Sequence, residues 1–182
     1  ASAEMLSVAQ EKALDSDISG MLFLRQKMQN IDLYGTIDTC ICTLDSINHI
    51  TNKDDVQKTF SKVSFFMNPD ALFIFDVNTL YKHQRVLGNK TFVYDTSKVY
   101  CVWQNSLCKD NRTVDISLDF FQRDGDIYRR YSENFMERAY THTEICEMLE
   151  KAGFKLLDVF GEMSFDKPSE TSQRNFYIAK KL

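Results

Sequence analysis

The chain has 182 residues, 43% of them hydrophobic and 26% charged, with a formal net charge of -4. That suffices for one domain with a real core, or one domain plus a small elaboration, and does not fit a disordered or fibrous chain. With no basic run of five, no apolar stretch near the ~18 residues of a membrane span and no basic-then-apolar start, it argues against duplex nucleic acid, membrane and secretion.

The five cysteines, Cys40, Cys42, Cys101, Cys108 and Cys146, are odd in number and contain no Cys-x-x-Cys. They read as reduced thiols of a cytoplasmic protein. His49, His83 and His142 share no ligand spacing with them, so no metal is expected.

In chain order, apolar spacing predicts a helix over 3–14, capped by Ser2, with Met5, Leu6 and Ala9 facing a core. Met21-Leu22-Phe23-Leu24 reads as a buried strand closing at Arg25-Gln26-Lys27-Met28. The stretch 36–79 then reads as strand, helix, strand: an apolar run over 37–44, a polar break at Asp45-Ser46-Ile47-Asn48-His49, and a helix from 53 to 66. Asn68-Pro69-Asp70 reads as a turn before a second apolar strand over 71–75, which stops at Asp76-Val77-Asn78. Both strands shed polar residues at their carboxyl ends, where open α/β sheets bind ligands.

Residues 80–87 read as a short helix. From Thr91 the pattern becomes alternating strands over 91–94, 99–103, 114–120 and 127–131, with Arg123-Asp124-Gly125-Asp126 as a hairpin turn. Such an insert forms a cap at the ligand end of the sheet. Thr141-His142-Thr143-Glu144 is a capping box opening a helix that Gly153 ends. Strands over 155–160 and 175–179 close the chain. The expected organisation is a core over 1–90, a cap over 91–138 and the rest of the core over 139–182.

Four pieces in this order resemble class I S-adenosylmethionine-dependent methyltransferases of the small bacterial type. They are Ser2-Ala3-Glu4-Met5-Leu6 with Ala9, Ile37-Asp38 leading to Leu44-Asp45-Ser46-Ile47-Asn48-His49, Asn68-Pro69-Asp70-Ala71-Leu72-Phe73, and Glu144 through Ala152-Gly153-Phe154. The resemblance implies a Rossmann-like α/β three-layer sandwich, mostly parallel with the last strand antiparallel, and an inserted antiparallel β cap. It implies S-adenosylmethionine as cofactor and a small-molecule or protein methyl acceptor, with a homodimer as an expected partner state. Met5, Gln26, Lys27, Met28, Leu44 and Asp45 become the expected cofactor contacts. Asp45, His49 and Glu133 become the candidate bases, and Asn48, Asn78, Trp103 and Arg138 the candidate substrate contacts.

Each candidate has a plainer reading. Asp45 and Asn48 can cap a turn, and His49 can cap a helix. Asp76 and Asn78 can simply end a strand in water. Most cap aromatics belong to the cap's own core, and Glu133 with Arg138 can be a solvated ion pair. The family's Gly-rich loop and second-strand carboxylate are not in these residues, so the sequence is expected to belong to a longer chain. Lys27 stands where the family commonly has an adenine-accepting Asp, and lysine only donates. Two alternatives therefore stay open: another nucleotide-cofactor Rossmann enzyme, and a non-catalytic binding module.

Overall fold

A computed structural model describes residues 2–182. Helix α1 (Ala3–Asp15) starts where expected, with the Ser2 hydroxyl accepting from the Met5 amide at 3.2 Å. It does not bury the face predicted for it: Met5 is 69% exposed, and only Ala13 of the helix is buried. The segment after it is not a strand. Met21 and Leu22 are exposed, and no ladder partner lies beside them among the described residues. A strand exists only through its neighbour's hydrogen bonds, so an apolar run without one stays irregular. A short 3-10 turn, Met28–Asn30, follows.

Strand β1 (Ile37–Cys42), helix α2 (Lys53–Phe66) and strand β2 (Met67–Asn78) form the expected unit, with β1 and β2 parallel. Asn52 caps α2 by accepting from the Asp54 amide at 2.8 Å, and Asp54 and Asp55 complement the positive end of the helix. Val56, Phe60 and Val63 fall on one stripe and are buried. Asn68-Pro69-Asp70 does not separate helix from strand. It bulges within β2, where Ile37 faces Met67 but Thr39 faces Leu72, and Asp70 takes φ +66°.

A six-residue π-helical turn (Lys82–Leu87) leads to the cap. Its strands β3 (Thr91–Asp95), β4 (Val99–Leu107), β5 (Thr113–Asp124) and β6 (Ile127–Arg138) pair in sequence order, all antiparallel. Gly125 at φ +63° lets Gly125-Asp126 link β5 to β6. Helix α3 (His142–Lys151), opened by the Thr141–Glu144 capping box, precedes β7 (Phe154–Gly161) and β8 (Arg174–Lys181).

The core sheet runs β1-β2-β8-β7, with β8 antiparallel to both neighbours. Residues 71, 73, 75 and 77 of β2 are buried in one cluster with α2 and α3. Phe60 meets Phe73 and Phe75 at 5.5 and 5.2 Å, and Tyr177 stacks on Phe75 at 5.2 Å. Such pairs add about 0.5–1.5 kcal/mol each beyond area burial. This stack fixes β2 against β8 and so fixes where β2 ends. No helix of the described residues is long and apolar enough to cross a membrane.

Candidate active site

At the carboxyl end of β1, Leu44 and Asp45 take φ +59° and +50° in succession. Neither is glycine, so the turn is strained and must be held by its partners. The Asp45 amide donates to Asp76 Oδ2 at 3.0 Å, and Arg174 Nη2 donates to Asp45 Oδ1 at 2.6 Å. Arg174 also pairs with Asp76, which is fully buried. Asp76 is therefore an internal anchor and not a solvated strand end. Its Oδ1 is buried without a hydrogen bond.

Asn48 is fully buried, with its side-chain amide bonded within the protein. Its Nδ2 donates to the carbonyls of Asn78 and Arg138 at 3.1 and 2.9 Å, while its Oδ1 accepts from the Asn78 amide at 2.8 Å. The Asn48 carbonyl accepts from the Arg138 amide at 2.8 Å. This side chain clamps the end of β2 to the end of β6, joining core to cap. Asn78 is equally committed, donating to Glu137 Oε2 at 3.1 Å and accepting from Lys82 Nζ at 2.8 Å.

His49 is partly exposed, with its ring 5.1 Å from that of Phe135 and Nε2 3.6 Å from Glu137 Oε1. Asp45, His49 and Glu137 bring ligand-type atoms within 4.8 Å of one another. Glu137 is buried, and burial pushes its carboxyl pKa up. The facing His83 ring, the nearby His49 and the hydrogen bond from Asn78 outweigh that and hold it below the ordinary value.

Glu137 was missed in the sequence, where Glu133 and Arg138 were singled out. The register explains both. Glu133, Phe135 and Glu137 alternate onto one face of β6, but Glu133 lies four residues further out and is exposed. Arg138 falls on the other face, with its guanidinium 5.8 Å from the Tyr140 ring. Trp103 packs in the cap interior against Phe92 at 5.5 Å, and its indole N–H donates to Asn105 Oδ1 at 2.8 Å.

A groove of about 630 Å³ opens beside this cluster, lined by 26–29, 41–43, Ser46 and 49–52, with Asp55. Lys27, Met28 and His49 are in its wall; Met5 and Leu44 are not. The Gln26 amide is spent on the backbone of Asp32, with both bonds at 2.9 Å. Cys40 and Cys42 share a face of β1 against the core, and burial pushes their thiols up to about 11 and about 12. They are inert packing thiols.

No family model matches the sequence. The chain is 33% identical over 181 residues to "Putative methyltransferase YqeM" of Bacillus subtilis (strain 168), covering 99% of this chain and 72% of that protein. A crystal structure of a S-adenosylmethionine-dependent methyltransferase from Clostridium acetobutylicum superposes with a TM-score of 0.92 at 35% identity, over 99% of this chain and 72% of that one. The CcbJ methyltransferase of Streptomyces caelestis shares the fold, at TM-score 0.86 and 12% identity, over 100% of this chain and 77% of that one. An α/β core sheet with a four-stranded antiparallel insert is the Rossmann-like fold that this chain shares with these methyltransferases. The chain belongs to the class I S-adenosylmethionine-dependent methyltransferases. It is an enzyme class that moves a methyl group from that cofactor to an acceptor.

Proposed function

We propose that the groove at the end of β1 takes the adenosyl end of S-adenosylmethionine, and that the acceptor enters between His49 and the inner face of the cap. The observation that carries this is the groove itself. Its volume lies within the range of small-molecule sites, and it combines apolar Met28, Ile41 and Cys42 with the hydroxyls of Thr43 and Ser46. The residues present fit the group. When bound, the cofactor supplies a methyl already activated by its sulfonium for in-line displacement.

The chain's own residues then do three things. Met28 and Ile41 give an adenine apolar surface, while Asp45, strained and braced by Arg174, sets the backbone beside the reacting end. The cap strand β6 brings buried Glu137 against the cluster, while His49 stays open to the groove. His49 is the base for an acceptor that arrives protonated, because its ring lines the groove and is only half covered. Glu133 is further out, where it meets an acceptor and not its proton. Asn48, Asn78 and Arg138 hold the cleft's walls together.

An acceptor of small-molecule size suits a groove of this volume. The five free thiols suit a reducing, cytoplasmic setting. A homodimer is the proposed assembly, supported by the exposed cap aromatics Tyr100 and Tyr128; a monomer mass by sedimentation equilibrium refutes it.

The test is calorimetric titration of S-adenosylhomocysteine into the protein. One-site binding at micromolar affinity, worth about -8 kcal/mol, is expected. No heat and no rise in melting temperature would leave a non-catalytic binding module as the better reading.

A further inference from the structure

We propose that Glu137 is a positioning residue for His49: held by His83 and Asn78, it fixes which imidazole nitrogen of His49 is free to take a proton. The proposal rests on the reading of His49 as the base.

Proton accounting around Glu137 carries the argument. His83 is fully buried, and its Nδ1 lies 2.8 Å from the Arg112 carbonyl oxygen. A carbonyl only accepts, so Nδ1 carries a hydrogen. The other nitrogen, Nε2, is buried, makes no hydrogen bond and faces Glu137 Oε2 at 3.7 Å. A bare lone pair facing a carboxylate in a buried site is repulsive. One proton on the pair makes the contact attractive, so His83 and Glu137 share one. Asn78 Nδ2 adds its hydrogen to the same Oε2 at 3.1 Å.

Oε2 is then fully served, and Oε1 is left facing His49 Nε2 at 3.6 Å. That separation exceeds a direct hydrogen bond, so Glu137 acts on His49 through its charge. Oε1 can only accept, so it selects the His49 tautomer with hydrogen on Nε2 and the lone pair on Nδ1. Phe135 holds the ring from the side, at 5.1 Å and 44°. Nδ1 makes no hydrogen bond among the described residues, and the ring lines the groove.

In the proton step an N–H or O–H bond of the acceptor breaks, its electron pair stays on the acceptor atom, and an N–H bond forms at His49 Nδ1. The imidazolium charge that results lies beside Glu137. The π-helical turn that carries His83 is a second sign of a site, since such turns are frequent at functional sites.

Long-range proton–nitrogen NMR of histidine-labelled protein at pH 8 tests this. His49 is expected to favour the Nε2–H tautomer more strongly than free histidine does, by a further factor of about three to ten, the scale of a carboxylate charge acting across about 4 Å near a protein surface. Glu137→Gln is expected to relax the ratio to that of free histidine, which itself leans to Nε2–H, and Glu137→Asp to restore part of the excess preference. A His49 with hydrogen on Nδ1 in the native protein, or an unchanged tautomer ratio in Glu137→Gln, overturns the proposal. Where a variant fails to fold, the native ratio set against that of free histidine in the same buffer decides: an excess of Nε2–H supports the proposal and an equal ratio overturns it. Titrating S-adenosylhomocysteine into the same sample separates the two readings: normal binding beside the wrong tautomer sinks only the positioning role.

Discussion

Arg174→Leu is expected to cost about 3–5 kcal/mol of unfolding free energy, the loss found when one member of a buried pair is removed. The reason is that Asp76 cannot reach water. It is fully buried at the end of β2, with one oxygen already unpartnered and the other held by Arg174 and the Asp45 amide. Leucine takes away the cation and leaves the carboxylate. Adding Asp76→Asn in the same protein is expected to recover a large part of the loss, because the stranded charge goes with it. Urea unfolding of the single and double variants measures this. A single-variant loss under about 1 kcal/mol would mean that Asp76 is hydrated after all. The same variant should weaken cofactor binding, since Arg174 also braces the strained Asp45 turn.

Ser46→Trp is expected to raise the dissociation constant of S-adenosylhomocysteine by about 100-fold or more, equivalent to about 2.7 kcal/mol, while the fold persists. Ser46 lies in the groove wall on the polar turn after β1, and its hydroxyl accounts for one local bond, to the Thr43 carbonyl at 2.7 Å. An indole there fills space that the ligand needs. Circular dichroism checks the fold, and calorimetry reads the affinity. Unchanged affinity in a folded Ser46→Trp protein would place the cofactor elsewhere.

The local elements were legible because their signals are local. Asn52, Asp54 and the Val56-Phe60-Val63 stripe specify α2 without help from the rest of the chain. The Thr141–Glu144 box and the Gly125 hairpin are equally self-contained. The motif order was enough to point to the methyltransferase family and its cofactor. The apolar run over 21–24 failed as a strand because its identity depended on a neighbour that its own residues do not encode.

The site was legible as a place and not as a set of roles. The sequence by itself determined that polar residues would gather at the ends of β1 and β2, since strand ends follow from hydrophobic runs. Only the tertiary structure decided which of them face one another. Asp76 and Arg174 are 98 positions apart, and no periodicity connects them. Arg138 gave way to Glu137 because a single residue's step along β6 moves a side chain to the opposite face, and Glu133, on the same face, because it lies four residues further out and is exposed. Asn48 and Trp103 look like ligand contacts in sequence, but folding commits their polar atoms to bonds within the protein. Composition and spacing act along the chain; burial and charge pairing act across it, so only the folded chain could assign the roles.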